Sequence, residues 1–248
     1  MLGEIRLKGA DGKELDPILR QPKRLAVLAY LAAPAPGTRH RRDLLLALFW
    51  PDLDTSHART SLRNAVYVLR QSLGDQVLQS TGDEEISVNP DLVQTDLAVV
   101  LSALKEGRID DALAAYGGEL LPGLFPADSE GFQRWLDSER MRLKVAVSSA
   151  AAGRLNELES RKEFPQALAV ARRMLEIQPD DETIVRRVMS LHEAMADMAG
   201  GLNVFEKYRY RLASDFDAAP SPETTALADR LRSSPRPSSA RTRSPKMR

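Results

Sequence analysis

The stretch from Thr55 to Gly74 contains three arginines, a histidine, an asparagine and a tyrosine, and no carboxylate. Wound at 100° per residue with Leu62 at zero, Ala58, Ala65, Val66, Leu69 and Leu73 fall within about 60° of it and form an apolar stripe. The opposite arc carries His57, Thr60, Asn64, Tyr67 and Gln71, flanked by Ser56, Ser61 and Arg63, while Arg59 and Arg70 border the stripe. A solvent-facing helix ordinarily mixes Glu and Lys at i,i+4 spacing. Here acid is absent, as a helix seated between rows of phosphates requires. A guanidinium can bond guanine through two donors, and a carboxamide can do the same with adenine. Thr60, Arg63, Asn64 and Tyr67 are therefore the candidates for contact with bases. An ordinary solvated face beside a core stripe is the alternative that these residues alone leave open.

Further cations lie upstream. Arg39-His40-Arg41-Arg42 falls at the start of the preceding predicted helix, where positive charge opposes the helix dipole. Backbone phosphates are the simplest compensation. Arg39, Arg41, Arg42, Arg59 and Arg70 are accordingly assigned to phosphates. Lys23-Arg24 fits a phosphate contact and a solubilising surface equally. The segment Gly82–Glu85 is acidic, which argues against its deep insertion into a minor groove.

The elements that must position these groups follow from local signals. Alternation over 4–8 and 13–15 around Asp11-Gly12 predicts an N-terminal β-hairpin. Gln21-Pro22 opens a helix over Lys23–Ala33, halted by Pro34-Ala35-Pro36-Gly37. A second helix is expected over Arg39–Trp50, with Leu44, Leu45, Leu48 and Phe49 as its apolar face. Asp54 is a suitable N-cap for the third, Thr55–Leu73, which Gly74 closes. Val77–Ser80 and Ile86–Val88 read as a second hairpin. Three helices followed by a hairpin is the order of a winged helix. Beyond Asp96 only helices are expected, at 96–106, 109–117, 129–161, 164–178, 181–198, 200–215 and 221–232. Ala167, Ala171 and Met174 recur 34 residues later as Gly201, Phe205 and Tyr208, the period of a tetratricopeptide repeat. The expected class is thus mostly α: an N-terminal winged helix over 1–95, an all-α tetratricopeptide-like domain over 96–232, and a basic, disordered tail over 233–248.

The 248 residues carry 35 Lys/Arg and 35 Asp/Glu, but the zero net charge is unevenly spread. Arg20 to Gly74 holds nine basic residues against three acids, and the last 16 residues hold five basic residues and no acid. A phosphate-binding surface needs only such a local surplus, since salt screens charges beyond about 8–10 Å. The absence of cysteine excludes disulfides, thiolate zinc sites and cysteine nucleophiles. No apolar run approaches a membrane span and no signal peptide is evident, so a cytoplasmic protein is expected. His40, His57 and His192 lie on separate predicted helices. His192-Glu193 begins like a zinc-protease motif, but Ala196 stands where the second ligand would be. No glycine-rich phosphate loop, nucleophile elbow or metal set emerges, so neither an enzyme nor a cofactor is expected.

Three blocks, Gln21–Ala32, Arg42–Pro51 and Ala58–Gly74, resemble the antibiotic-regulatory (SARP-like) family of bacterial transcription activators. The resemblance continues through Tyr116-Gly117-Gly118-Glu119-Leu120-Leu121-Pro122-Gly123, Phe132–Leu143 and Pro220-Ser221-Pro222-Glu223-Thr224, which are similar to that family's bacterial transcriptional activator domain. It implies an OmpR-like winged helix and binding to direct repeats in promoter DNA, with two protomers side by side as a homodimer. Contact with RNA polymerase holoenzyme is implied as well. The chain lacks the G-x-x-x-x-G-K motif of relatives that carry an ATPase domain, and so resembles the short form. The competing reading is a helical-repeat adaptor whose winged helix binds protein; such an adaptor has no need to exclude acid from residues 55–73.

Overall fold

A computed structural model describes the chain from Met1 to Ser233, apart from Ala10, Pro34 and Pro36. The expected basic tail lies outside the described residues, save Ser233. The chain divides into two compact units, Met1–Ala150 and Ala151 onward. Among the described residues no helix is long and apolar enough to cross a membrane.

The first unit opens with a short helix α1 (Asp16–Leu19), followed by α2 (Pro22–Ala32), β1 (His40–Arg41), α3 (Arg42–Phe49) and α4 (Thr55–Leu73). Strands β2 (Leu78–Thr81) and β3 (Glu85–Val88) follow, and the three strands form an antiparallel sheet in the order β1-β3-β2. This is a winged helix with a wing of two four-residue strands. Its core is built from Ile18 under α2, Leu45 and Phe49 of α3, Leu62 and Leu69 of α4, and Leu78 and Ile86 of the sheet, all buried.

Two sequence expectations are corrected here. The second helix begins at Arg42 rather than Arg39, because His40 and Arg41 are extended and pair with Ile86 and Glu85. Its buried face is Leu45, Leu46 and Phe49, and Leu44 points outward. The N-terminal hairpin shrinks to one bridge, Lys8–Glu14, although the Leu15 amide does donate to Leu7. Leu2 instead bridges to Leu120, with the Leu121 amide donating to Met1 at 2.7 Å and Gly3 to Glu119 at 2.8 Å. That approach depends on glycine. A Cβ on Gly117 would lie 2.4 Å from the Leu2 carbonyl oxygen, and one on Gly3 would lie 2.2 Å from that of Gly117.

His40 is 7% exposed and packs its ring 5.0 Å from that of Tyr30. Burial holds its pKa below the usual imidazole range. The folded state therefore prefers neutral His40, and stability is complete above the ordinary value of about 6.5 and is lost as pH falls below it. The thermal midpoint of wild type should drop between pH 7.5 and 5 by more than that of His40→Phe, which keeps a ring against Tyr30. Equal pH dependence in the two proteins would show that protonation of His40 is not opposed by folding.

After the wing come α5 (Asp96–Lys105), capped by the Thr95 hydroxyl, α6 (Ile109–Ala115) and the long α7 (Glu130–Ser160). The first turns of α7 belong to the first unit and supply part of its core. Phe132 stacks 5.2 Å from Phe49, and Trp135 lies 4.7 Å from Tyr30. Gly131 permits this, because a Cβ there would sit 3.3 Å from the Leu48 Cα. The compact unit thus extends past the expected boundary at 95/96.

The second unit holds the rest of α7 with α8 (Phe164–Ile177), α9 (Glu182–Ala194), α10 (Met198–Phe216) and α11 (Pro222–Ser233). All six residues related by the 34-residue period are buried: Ala167, Ala171 and Met174 on α8, and Gly201, Phe205 and Tyr208 on α10. Gly201 faces α9 closely, since a Cβ there would lie 3.4 Å from the Met189 carbonyl oxygen. Phe205 and Tyr208 join Val185, Met189, Leu227, Ala228 and Leu231 in one apolar cluster. His192 is buried between Asp197, 2.8 Å from its Nδ1, and Arg172, 3.2 Å from its Nε2. Because a guanidinium can only donate, Nε2 accepts and Nδ1–H donates to Asp197. This histidine organises the α9–α10 corner. The winged helix followed by an all-α region is the architecture expected from the sequence.

Candidate nucleic-acid interface

Helix α4 has the boundaries its signals specify. The Asp54 side chain accepts from the Ser56 and His57 amides, and Gly74 at φ 108° ends it. Ala58, Leu62, Ala65, Val66 and Leu69 are buried, so the stripe faces the core. Thr60, Arg63, Asn64 and Tyr67 are all exposed on the other side, with Tyr67 61% open. The structure therefore brings the four base candidates onto one free helical face. The Thr60 hydroxyl bonds back to the Ser56 carbonyl, leaving its methyl and lone pairs outward.

The helix N-terminus is less available to phosphate than the dipole alone suggests. Asp54 occupies its amides and also pairs with the His57 ring, bonds that hold the Asp54 carboxyl below the ordinary carboxylate range. An ionised carboxylate thus stands where an anion would dock.

The five arginines assigned to phosphates fall into two groups. Arg39, Arg41 and Arg59 are exposed, and each has a carboxylate at the edge of ion-pair range: Glu85 at 4.0 Å for Arg39, and Asp43 at 3.8 and 3.9 Å for Arg41 and Arg59. Such loose surface pairs are worth at most about 1 kcal/mol and release easily. Arg42 and Arg70 instead turn toward the wing. Arg70 donates through Nε and Nη2 to the Leu78 carbonyl at 3.1 and 2.8 Å, and both guanidiniums reach Ser80 Oγ. With Arg63, Tyr67 and Gln71 they line a recess of about 740 Å³ between α4 and the wing, with Asp43, Asp75, Asp83 and Glu84 also on its wall.

Lys23 lies 5.9 Å from the centre of the Trp50 ring, a cation–π position that accounts for it without a phosphate. Ser80 and Asp43 are the members of this surface that sequence reasoning missed. Ser80 is an unremarkable strand serine until folding brings it to residues 38 and 10 positions away. Among the described residues no cluster of three or more His, Cys, Asp or Glu side chains is placed to hold a metal ion.

The family model described as the bacterial transcriptional activator domain matches residues 103–232, just over half of the chain. No curated protein matches significantly. Among solved structures, Mycobacterium tuberculosis EmbR in complex with a low-affinity phosphopeptide aligns with 85% of this chain at 21% identity and a TM-score of 0.46. The chain spans 59% of the length of that protein.

Proposed function

Because the chain belongs to the bacterial transcriptional activator domain family, we propose that it is a sequence-specific DNA-binding activator that reads promoter DNA with α4. The observation that carries this reading is the face of α4: exposed, rich in Thr, Arg, Asn and Tyr, and free of carboxylates above a buried stripe. Thr60, Arg63, Asn64 and Tyr67 face bases, and Arg39, Arg41, Arg42, Arg59 and Arg70 face phosphates. Residues 1–95 with the first turns of α7 form the reading module, and the helices beyond them contact RNA polymerase holoenzyme. Two protomers stand side by side on direct repeats, in the cytoplasm on the nucleoid.

Selection from a randomised duplex pool at near-physiological salt tests this. Enrichment of a short motif, repeated head-to-tail about one helical turn apart, is the expected result. Retention without enrichment would reduce the activity to nonspecific binding. Absence of retention even at low salt would sink the proposal and favour a protein-binding adaptor. Arg41→Ala should weaken binding to every duplex alike and lower the slope of log K against log salt by about 1. A sequence-dependent loss would move Arg41 to the base-reading group.

A further inference from the structure

Two guanidinium groups meet on a single neutral oxygen beside α4. Arg42 Nη2 lies 3.0 Å and Arg70 Nη2 3.1 Å from Ser80 Oγ. A hydroxyl has two lone pairs, so both bonds form, and its own proton remains to be donated. Like charges brought this close repel. Among the described residues no carboxylate lies within ion-pair distance of either arginine, or of Arg63 on the same recess wall. The Arg42 Nε–H is also buried without a hydrogen-bond acceptor. Burial, then the charges of Arg70 and Arg63, depress the pKa of Arg42, and Asp83 only partly opposes them. The two guanidiniums converge on Ser80 at a recess of about 740 Å³, much larger than one phosphoryl group, whose wall also carries Asp43, Asp75, Asp83 and Glu84.

We propose that Arg42, Arg70 and Ser80 form a preformed seat for one phosphoryl group, which a soluble phosphate or phosphorylated small molecule occupies in competition with DNA. This rests on α4 being the DNA-reading face, where a backbone phosphate fills the seat. It adds that the seat accepts the same chemistry from a free ligand, making DNA release sensitive to it. An oxyanion offers acceptors to the outer terminal amines of the two guanidiniums, and it accepts the Ser80 proton. Charge-assisted bonds of this kind are the strong ones.

The full chain is titrated with inorganic phosphate and with pyrophosphate, against sodium chloride at matched ionic strength. Thermal midpoint and displacement of a labelled, selected duplex are the readouts. Phosphate and pyrophosphate should raise the midpoint and release DNA at ionic strengths where chloride does neither. Ser80→Ala and Arg42→Gln should each reduce the phosphate-specific midpoint shift at least threefold. Ser80→Ala, an exposed change, keeps the test informative should Arg42→Gln fail to fold. Chloride and phosphate acting alike, while the duplex still binds, would overturn the seat for free ligands and leave the DNA reading intact. Loss of duplex binding in every condition would overturn both.

Discussion

Replacing Arg63 by alanine is expected to weaken binding to the selected duplex by about 1–3 kcal/mol, a factor of roughly 5 to 150, and to relax base preference at one position. Arg63 is exposed on the same face as Asn64 and Tyr67, and among the described residues it has no ion-pair partner. Its guanidinium is therefore free to bond a base edge, and its removal leaves the fold nearly untouched. Affinity for unrelated duplexes should fall much less, since that term comes from phosphates. The discriminating measurement is the ratio of specific to nonspecific affinity, with the selected site mutated base by base. An equal loss on all duplexes would reassign Arg63 to the backbone, and with it the division between reading and positioning residues on α4.

The second large effect is on stability. Phe132→Ala should destabilise the first unit by about 3–5 kcal/mol, the usual cost of deleting a buried aromatic ring. Phe132 is fully buried and touches the rings of Phe49 and Trp135, which in turn contact Tyr30. A fragment ending at residue 95 would leave the Tyr30 and Phe49 faces open to water. It should therefore unfold at a lower denaturant concentration than one ending at residue 150. Urea unfolding of the variant and of the two fragments checks both statements. A cost below about 1 kcal/mol, or equal stability of the fragments, would mean that the winged helix closes its core without α7.

These expectations differ in how far the sequence alone supports them. The boundaries of α4 are set by contacts within a few residues, the Asp54 cap at one end and Gly74 at the other, so a local reading finds them. The buried stripe was legible for the same reason, because helical periodicity is a property of neighbours along the chain, and the 34-residue recurrence because a repeat shows as self-similarity along the sequence. The N-terminal bridge was not. Its pairing of Leu2 with Leu120 depends on glycines at 3 and 117, whose meeting no local pattern announces. His40 and Arg41 read as helical because they lead directly into the apolar periodicity of Leu44, Leu45, Leu48 and Phe49, whereas the hydrogen bonds of β3 draw them into the sheet.

Residue types along the chain determined the class of this protein. A carboxylate-free helical face, a winged order of elements and an all-helical continuation follow from period, capping and charge, which act over one or two turns. Tertiary structure alone decided which arginines remain free. Arg63 stands open on α4, while Arg42 and Arg70 are drawn to Ser80 and the wing. It also decided where the first unit closes, with Phe132 and Trp135 completing the core around Tyr30 and Phe49. The physical reason is common to both: these contacts join residues far apart in sequence, and which partner a side chain meets is settled only when the whole core has packed.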